Sequence, residues 1–247
     1  MSISVTLTAA ALRYANSQAD TFTDLNLTLE GASWTCLLGA SGCGKSSLLR
    51  LLAGLIDSQH QVSGDISCSD KLPLTNRIAY MAQQDLLLPW LNVIDNVCLK
   101  ARLTRDKVSP EQRQKARSLL AKLQLSGNES AFPEQLSGGM RQRVALARTL
   151  MQDTPIVLMD EPFSALDAIT RHSLQNVAAE FLQGRTVLLI THDPQEALRL
   201  SDQLFLFNKQ RNLTRLDRPD SATPRVIDAQ LSQYQQRLLN IMQVQHA

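Results

Sequence analysis

No part of the chain joins a basic opening to an apolar core. Met1 to Ala11 has neither, and the longest apolar stretch, around 48–56, is broken by Arg50 and Gly54. A bilayer span needs about 20 consecutive apolar residues, so the chain is expected to be neither secreted through a leader nor membrane-spanning. An excess of charge of one sign is also missing. Lys and Arg number 25 against 23 Asp and Glu, the formal net charge is +2, and the two signs are interspersed. Neither nucleic acid nor an anionic lipid surface is expected as a partner on that ground. The four cysteines, Cys36, Cys43, Cys68 and Cys98, show no CxxC spacing and no nearby His ligands. That pattern argues against a zinc site and a disulfide framework and fits reduced thiols. Internal repeats and low-complexity tracts are absent.

What is present is a chain of 247 residues, 44% of them hydrophobic, enough for one substantial core and a smaller lobe. Four short apolar runs, at 35–38, 78–81, 156–159 and 186–190, are bounded by turn or polar residues and do not alternate. Unbroken apolarity suits strands covered on both faces, as in a parallel sheet flanked by helices, so the predicted class is α/β. Between the second and third runs lies a long polar, helix-forming insertion that reads as a separate helical lobe. Its clearest helix opens at Ser109-Pro-Glu-Gln112, with Ser109 as cap, Pro110 at the first helical position and Gln112 placed to reach back. Ala116, Leu119, Leu120 and Leu123 then fall at helical spacing while Arg113, Lys115, Arg117 and Lys122 point elsewhere, which predicts a core-facing helix with a solvated basic face. From about Asn208 the chain becomes more polar. Arg218-Pro219 and Thr223-Pro224 mark a linker, and a terminal helix is expected over Leu231 to Met242.

Gly39-Ala40-Ser41-Gly42-Cys43-Gly44-Lys45-Ser46 fits G-x-x-x-x-G-K-[ST] in full, after an apolar strand and before a helix-like run that starts at Ser47. Glycines let such a loop curl so that successive N–H groups converge on phosphates, and the helix N-terminus adds partial positive charge. Lys45 supplies a full charge, and the Ser46 hydroxyl can coordinate Mg²⁺. Further along, Ile156-Val-Leu-Met-Asp160-Glu161 places two acids where a strand ends, the edge at which open parallel sheets bind ligands. Adjacent carboxylates can divide the labour, Asp160 holding Mg²⁺ and Glu161 orienting or deprotonating the attacking water.

Leu136-Ser137-Gly138-Gly139-Met140 lies shortly before that strand, and with it the motif set resembles the ATP-binding cassette family, whose signature is L-S-G-G-Q. The resemblance runs from about residue 3 to residue 207. It implies a P-loop NTPase (RecA-like) core with a mostly parallel sheet, an N-terminal antiparallel β portion and an α-helical subdomain inserted at about 85–145. Residues 208–247 would then form a short C-terminal tail. ATP and Mg²⁺ are the implied cofactors, and the nucleotide contacts fall on Gly39 to Ser47, Tyr14, Ser137, Gly138, Gly139 and Asp167. Tyr14 stands where the family places an aromatic that stacks on adenine. Gln83 resembles the glutamine that contacts Mg²⁺ and the attacking water, His192 resembles the switch histidine that senses the γ-phosphate, and Ser164-Ala-Leu-Asp167 resembles the loop that crosses the dimer seam. Met140 departs from the usual glutamine and cannot supply its amide hydrogen bonds.

Leu87-Leu-Pro-Trp90, Asp167-Ala-Ile-Thr-Arg171 and Arg218-Pro219 are similar to the branch that imports nitrate, sulfonates, taurine and thiamine-pyrimidine precursors. That resemblance implies a head-to-tail homodimer on the cytoplasmic face of the bacterial inner membrane. The dimer would act on integral-membrane permease subunits and, indirectly, on a solute-binding protein. Trp90 is open to two readings: it borders a groove for a short helix of the permease, or it packs inside the helical lobe. Cassette ATPases that act on nucleic acid or ribosomes, and exporter subunits, are the alternatives. The former generally carry two cassettes or a long coiled-coil insertion, and this chain has neither.

Overall fold

Three of the four apolar runs, at 35–38, 156–159 and 186–190, become strands buried throughout, while 78–81 alternates half-buried and buried residues. The computed structural model describes residues 2–104, 107–208 and 210–246, the side chains of 244–246 excepted. In chain order the elements are β1 (Val5–Arg13), β2 (Phe22–Leu29), β3 (Trp34–Gly39), α1 (Lys45–Leu52), β4 (Gln61–Cys68) and β5 (Ile78–Met81). There follow α2 (Val93–Val97), α3 (Leu99–Thr104), α4 (Pro110–Lys122), a 3-10 turn (Pro133–Gln135), α5 (Gly138–Leu150) and β6 (Ile156–Asp160). The chain closes with α6 (Ala168–Phe181), β7 (Thr186–Ile190), α7 (Pro194–Leu200), β8 (Gln203–Phe207), β9 (Leu213–Arg215) and α8 (Ala229–His246). Every residue of β3, β6 and β7 is buried, as strands sandwiched between helices require.

The chain divides into two compact units, one of Met1–Ile78, Pro155–Glu161 and Gln183–Ala247, the other of Ala79–Thr154 and Pro162–Leu182. The first unit contains an antiparallel sheet of order β2-β1-β4, with Val5 facing Leu29 on one side and Cys68 on the other. The larger sheet has the order β5-β6-β7-β3-β8-β9. Within it β6, β7, β3 and β8 run parallel, and β9 returns antiparallel to β8. The carboxyl ends of β3, β6 and β7 therefore share one edge. α8 starts at Ala229 because Asp228 accepts a hydrogen bond from Leu231 N at 2.8 Å, the geometry of an N-cap.

The second unit is built on α2 to α6. The capping box of α4 is complete: Ser109 Oγ accepts from Gln112 N at 3.2 Å and Gln112 Oε1 accepts from Ser109 N at 3.0 Å. Ala116, Leu119, Leu120 and Leu123 are all fully buried. The basic face is solvated as the sequence suggests, with Lys115, Arg117 and Lys122 exposed and Arg113 half-buried; Arg113 pairs with Asp95 at 3.2 Å and Lys122 with Glu180 at 2.6 Å. All four cysteines are free and buried. Among the described residues no helix is long and apolar enough to cross a membrane.

Candidate functional site

β3 ends against β8 so closely that a Cβ on Gly39 would lie 2.5 Å from the Phe207 carbonyl oxygen. Only glycine permits that approach, and the loop that follows turns away from the sheet at this point. Gly44 is the N-cap of α1 at φ 111°, a conformation that glycine alone adopts without strain. No side chain caps α1, so its first-turn N–H groups remain available to an anion. Ser41 and Gly42 are exposed, whereas Cys43 is buried. Lys45 is 7% exposed. Its Nζ donates to the carbonyls of Gly39 at 2.8 Å and Ala40 at 2.7 Å, and lies 3.8 Å from Cys43 Sγ. An ammonium has three donors; two are committed to strong acceptors and the third to a weak sulfur.

Tyr14 reaches the same helix. Its hydroxyl donates to Ser47 Oγ at 3.0 Å, and its ring stands edge-on to His60, centroids 4.9 Å apart at 72°. His60 in turn accepts from Ala15 N through Nδ1 at 3.2 Å. His60 has no motif around it and was not identifiable from sequence.

β6 delivers Asp160 to the shared strand edge, 3% exposed. Burial pushes its carboxyl above the usual carboxylate range; a hydrogen bond from Ser46 opposes that rise, Glu161 adds to it, and Lys45 and Arg50 oppose it. Among the described residues no group of three or more His, Cys, Asp or Glu is arranged to hold a metal. The Ser46–Asp160 pair fits Mg²⁺ in the manner of sites that leave most of the shell to substrate phosphates and water. Glu161 adopts the left-handed conformation at φ 50°, a strain of about 1–2 kcal/mol for a residue with a Cβ. Its N–H donates to Ile190 O at 2.9 Å, and its Oε2 lies 3.1 Å from His192 Nδ1. The His192 side chain is 61% exposed against 15% for Glu161. His192 is held by its neighbours: Thr191 N donates to Leu37 O at 3.3 Å, and Asp193 N donates to Thr191 Oγ1 at 3.0 Å.

In the second unit, Ser137 caps α5 by accepting from Met140 N at 3.3 Å. Met140 thus serves the motif through its backbone amide, which any residue provides. Gly139 sits close enough to the segment after the acid pair that a Cβ would meet Ala165 O at 3.2 Å. Asp167 caps α6, and hydrogen bonding to the backbone of Thr170 holds its carboxyl below the usual range. Gln83 is exposed. The segment after it is fixed by residues that the sequence did not single out. Arg148 donates to the carbonyls of Leu86 at 2.7 Å and Asp85 at 2.5 Å, and Arg141 Nε to Asp85 Oδ2 at 3.1 Å. Asn96, fully buried, accepts from Leu88 N at 2.8 Å and donates to the carbonyls of Leu88, Leu91 and Asn92 at 3.1, 2.8 and 3.1 Å. The one available signal was an amide inside the apolar run Val93-Ile94-Asp95-Asn96-Val97. Held in this way, Trp90 is 71% exposed and Leu86 59%, so of the two readings of Trp90 the packed one is excluded.

The profile of the family described as ABC transporter matches residues 22–164. The chain belongs to the ABC transporter family. An ABC transporter ATP-binding protein of Haemophilus influenzae is 49% identical over 223 residues, covering 88% of this chain and 90% of that one. An aliphatic sulfonates import ATP-binding protein of Rhodococcus jostii is 44% identical, covering 88% and 85%. A taurine import ATP-binding protein of Shigella sonnei is 42% identical, covering 75% and 72%. Among solved structures, a bacterial ABC transporter cassette in dimeric form matches with a TM-score of 0.75 at 27% identity, covering 88% of this chain and all of that one. This ABC ATPase accordingly has the P-loop NTPase fold, with ATP as its nucleotide.

Two outcomes follow from the geometry. Asp160→Asn removes a buried charge whose raised pKa makes its ionisation costly in the folded state. The nucleotide-free variant should melt higher at neutral pH. That advantage should shrink as pH falls and the native carboxyl takes up its proton, while Mg²⁺-dependent hydrolysis drops at least about a hundredfold. Asn96→Ala strands several buried backbone groups and should destabilise the 86–92 segment by about 2–4 kcal/mol, read as lost hydrogen-exchange protection at the Leu88 amide.

Proposed function

We propose that this ABC ATPase is the energy-coupling subunit of a bacterial importer, with small sulfonates first among its cargoes. Relatives named for aliphatic sulfonate and taurine import support the direction of transport and the cargo class. The observation that carries the hydrolytic reading is the cluster at the end of β6. Asp160 is tied to Ser46, and Glu161, oriented by a left-handed backbone, lies 3.1 Å from His192.

In this reading Gly39 to Ser47 enfold the triphosphate, and Lys45 exchanges its weak sulfur contact for a phosphate oxygen. Tyr14 stacks on the base. Ser46 and Asp160 would hold Mg²⁺, which when bound would neutralise charge on the terminal phosphates. Glu161 takes the proton of the attacking water, and His192 orients the γ-phosphate beside it. Two copies pair head to tail, so that Ser137, Gly138 and Gly139 of one copy close the nucleotide held by the other, with Asp167 at the seam. The dimeric form of the related cassette supports that pairing. α5 begins at the signature residues and carries Arg141, which pairs with the Asp85 carboxylate, and Arg148, which grips the 85–86 carbonyls. Closure of the dimer therefore reaches the exposed Leu86 and Trp90, where a short helix of the permease docks. Residues 1–207 form the ATPase domain, with the helical part at about 85–145, and 208–247 form the tail. The assembly works at the cytoplasmic face of the inner membrane, and a solute-binding protein selects the cargo on the other side.

Glu161→Gln should retain ATP affinity while turnover falls about a hundredfold or more, measured by phosphate release; undiminished turnover removes Glu161 from the role. Trp90→Ser should weaken co-purification with the membrane subunits by at least about tenfold, and undisturbed association would move the docking surface elsewhere.

A further inference from the structure

Arg225 lies in the tail, outside every motif discussed above, yet its side chain is among the most deeply buried, at 2% exposure. Its Nη1 donates to the carbonyls of Leu198 at 2.6 Å and Ser201 at 2.8 Å, and its own N–H donates to Arg199 O at 2.8 Å. These acceptors lie at the carboxyl end of α7, where a helix leaves its last carbonyls without internal partners. The tail before Arg225 is fastened to the same turn. Arg218 Nε donates to Asp202 O at 2.5 Å, and Thr223 Oγ1 to Asp202 Oδ1 at 3.1 Å. Asp202 in turn exchanges backbone and side-chain hydrogen bonds with Trp34, at the start of β3.

α7 has two ends, and the other adjoins the histidine. Asp193, the residue after His192, is the N-cap of α7 and accepts from Gln195 N at 2.9 Å and Glu196 N at 3.4 Å. The helix between is seven residues long, with Ala197, Leu198 and Leu200 fully buried or nearly so. Two packed turns transmit displacement with little bending, so a restraint on the carbonyls of Leu198, Arg199 and Ser201 is felt at Asp193. His192 itself has a mostly exposed side chain, and its placement depends on the backbone that carries it.

We propose that Arg225 is a positioning residue for hydrolysis, by which residues 218–225 act as a strap that fixes α7 and thereby sets His192 against Glu161. The catalytic half of this inference rests on the reading of His192 given under Proposed function. The strap itself does not.

The test uses the full chain. Turnover and KM for ATP are measured for Arg225→Met and Arg225→Lys, together with the His192 Cε1–H signal in proton–carbon NMR. That signal is assigned with His192→Asn among the four histidines of the sequence. Leu27→Ala, in the core of the antiparallel sheet, serves as a control for lowered stability alone. Arg225→Met should lower kcat about tenfold with KM changed by less than about twofold, because misplacement costs the chemical step before it costs binding. Its His192 signal should shift or broaden. Arg225→Lys keeps the charge and a single nitrogen that can donate to both carbonyls, as Nη1 does, and should hold turnover to within about threefold of the wild type. Leu27→Ala should lower the melting temperature and leave kcat and the His192 signal in place. An unchanged His192 signal in Arg225→Met, or an equal loss of kcat in Leu27→Ala, overturns the proposal. If Arg225→Met does not fold, Thr223→Val, which releases the strap from Asp202, takes its place, and an unchanged His192 signal there overturns it instead. Wild-type turnover in His192→Asn would defeat the catalytic reading alone, since the signal still reports whether the strap reaches the histidine.

Discussion

A lysine ammonium held at 7% exposure must have acceptors around it, because a buried charge without partners costs several kcal/mol. Lys45 finds them in the carbonyls of Gly39 and Ala40. Those carbonyls are presented only because β3 ends where it does, and β3 ends there only because residue 39 lacks a side chain that would strike Phe207 on β8. The strand order β6-β7-β3-β8 then brings Asp160 to the same edge. One solvation requirement, that of a cation in the interior, ties together a loop, three strands and a carboxylate.

The acids at the end of β6 reverse the usual relation between burial and comfort. Asp160 is buried next to another carboxylate, with a hydroxyl and two basic groups only partly offsetting the cost. Glu161 adds backbone strain at φ 50°. Neither feature helps the chain fold; both fit the role proposed for the pair toward polyphosphate and a divalent cation. Local rules are broken where chemistry needs them broken.

The parts of this structure that were legible in the sequence are those in which neighbouring residues share one environment. Strands β3, β6 and β7 are covered on both faces, so their apolarity is continuous and recognisable. The phosphate loop is eight contiguous residues whose spacing is itself the mechanism. The cap of α4 needs only Ser109, Pro110 and Gln112. What escaped depends on distant partners. Lys122 is a solvated charge as expected, but its partner Glu180 lies across a long sequence interval. His60 comes to Tyr14, and Arg225 to α7, only once the sheets are assembled. Trp90 could not be placed until Asn96, an unremarked amide, was seen to hold its loop. The left-handed turn at Glu161 goes with a hydrogen bond from its N–H to Ile190 on another strand.

That loop has a further consequence. Because Asn96 and Arg148 fix its backbone, Leu86 and Trp90 are preorganised, and a partner that covers them loses little conformational entropy in doing so. The same rigidity denies the chain any means of tucking those side chains away when it is alone. A flexible loop could collapse over its own tryptophan; this one cannot. Synthesis out of step with a partner would therefore leave an oily face permanently open to self-association, and the chain's solubility becomes a matter of stoichiometry.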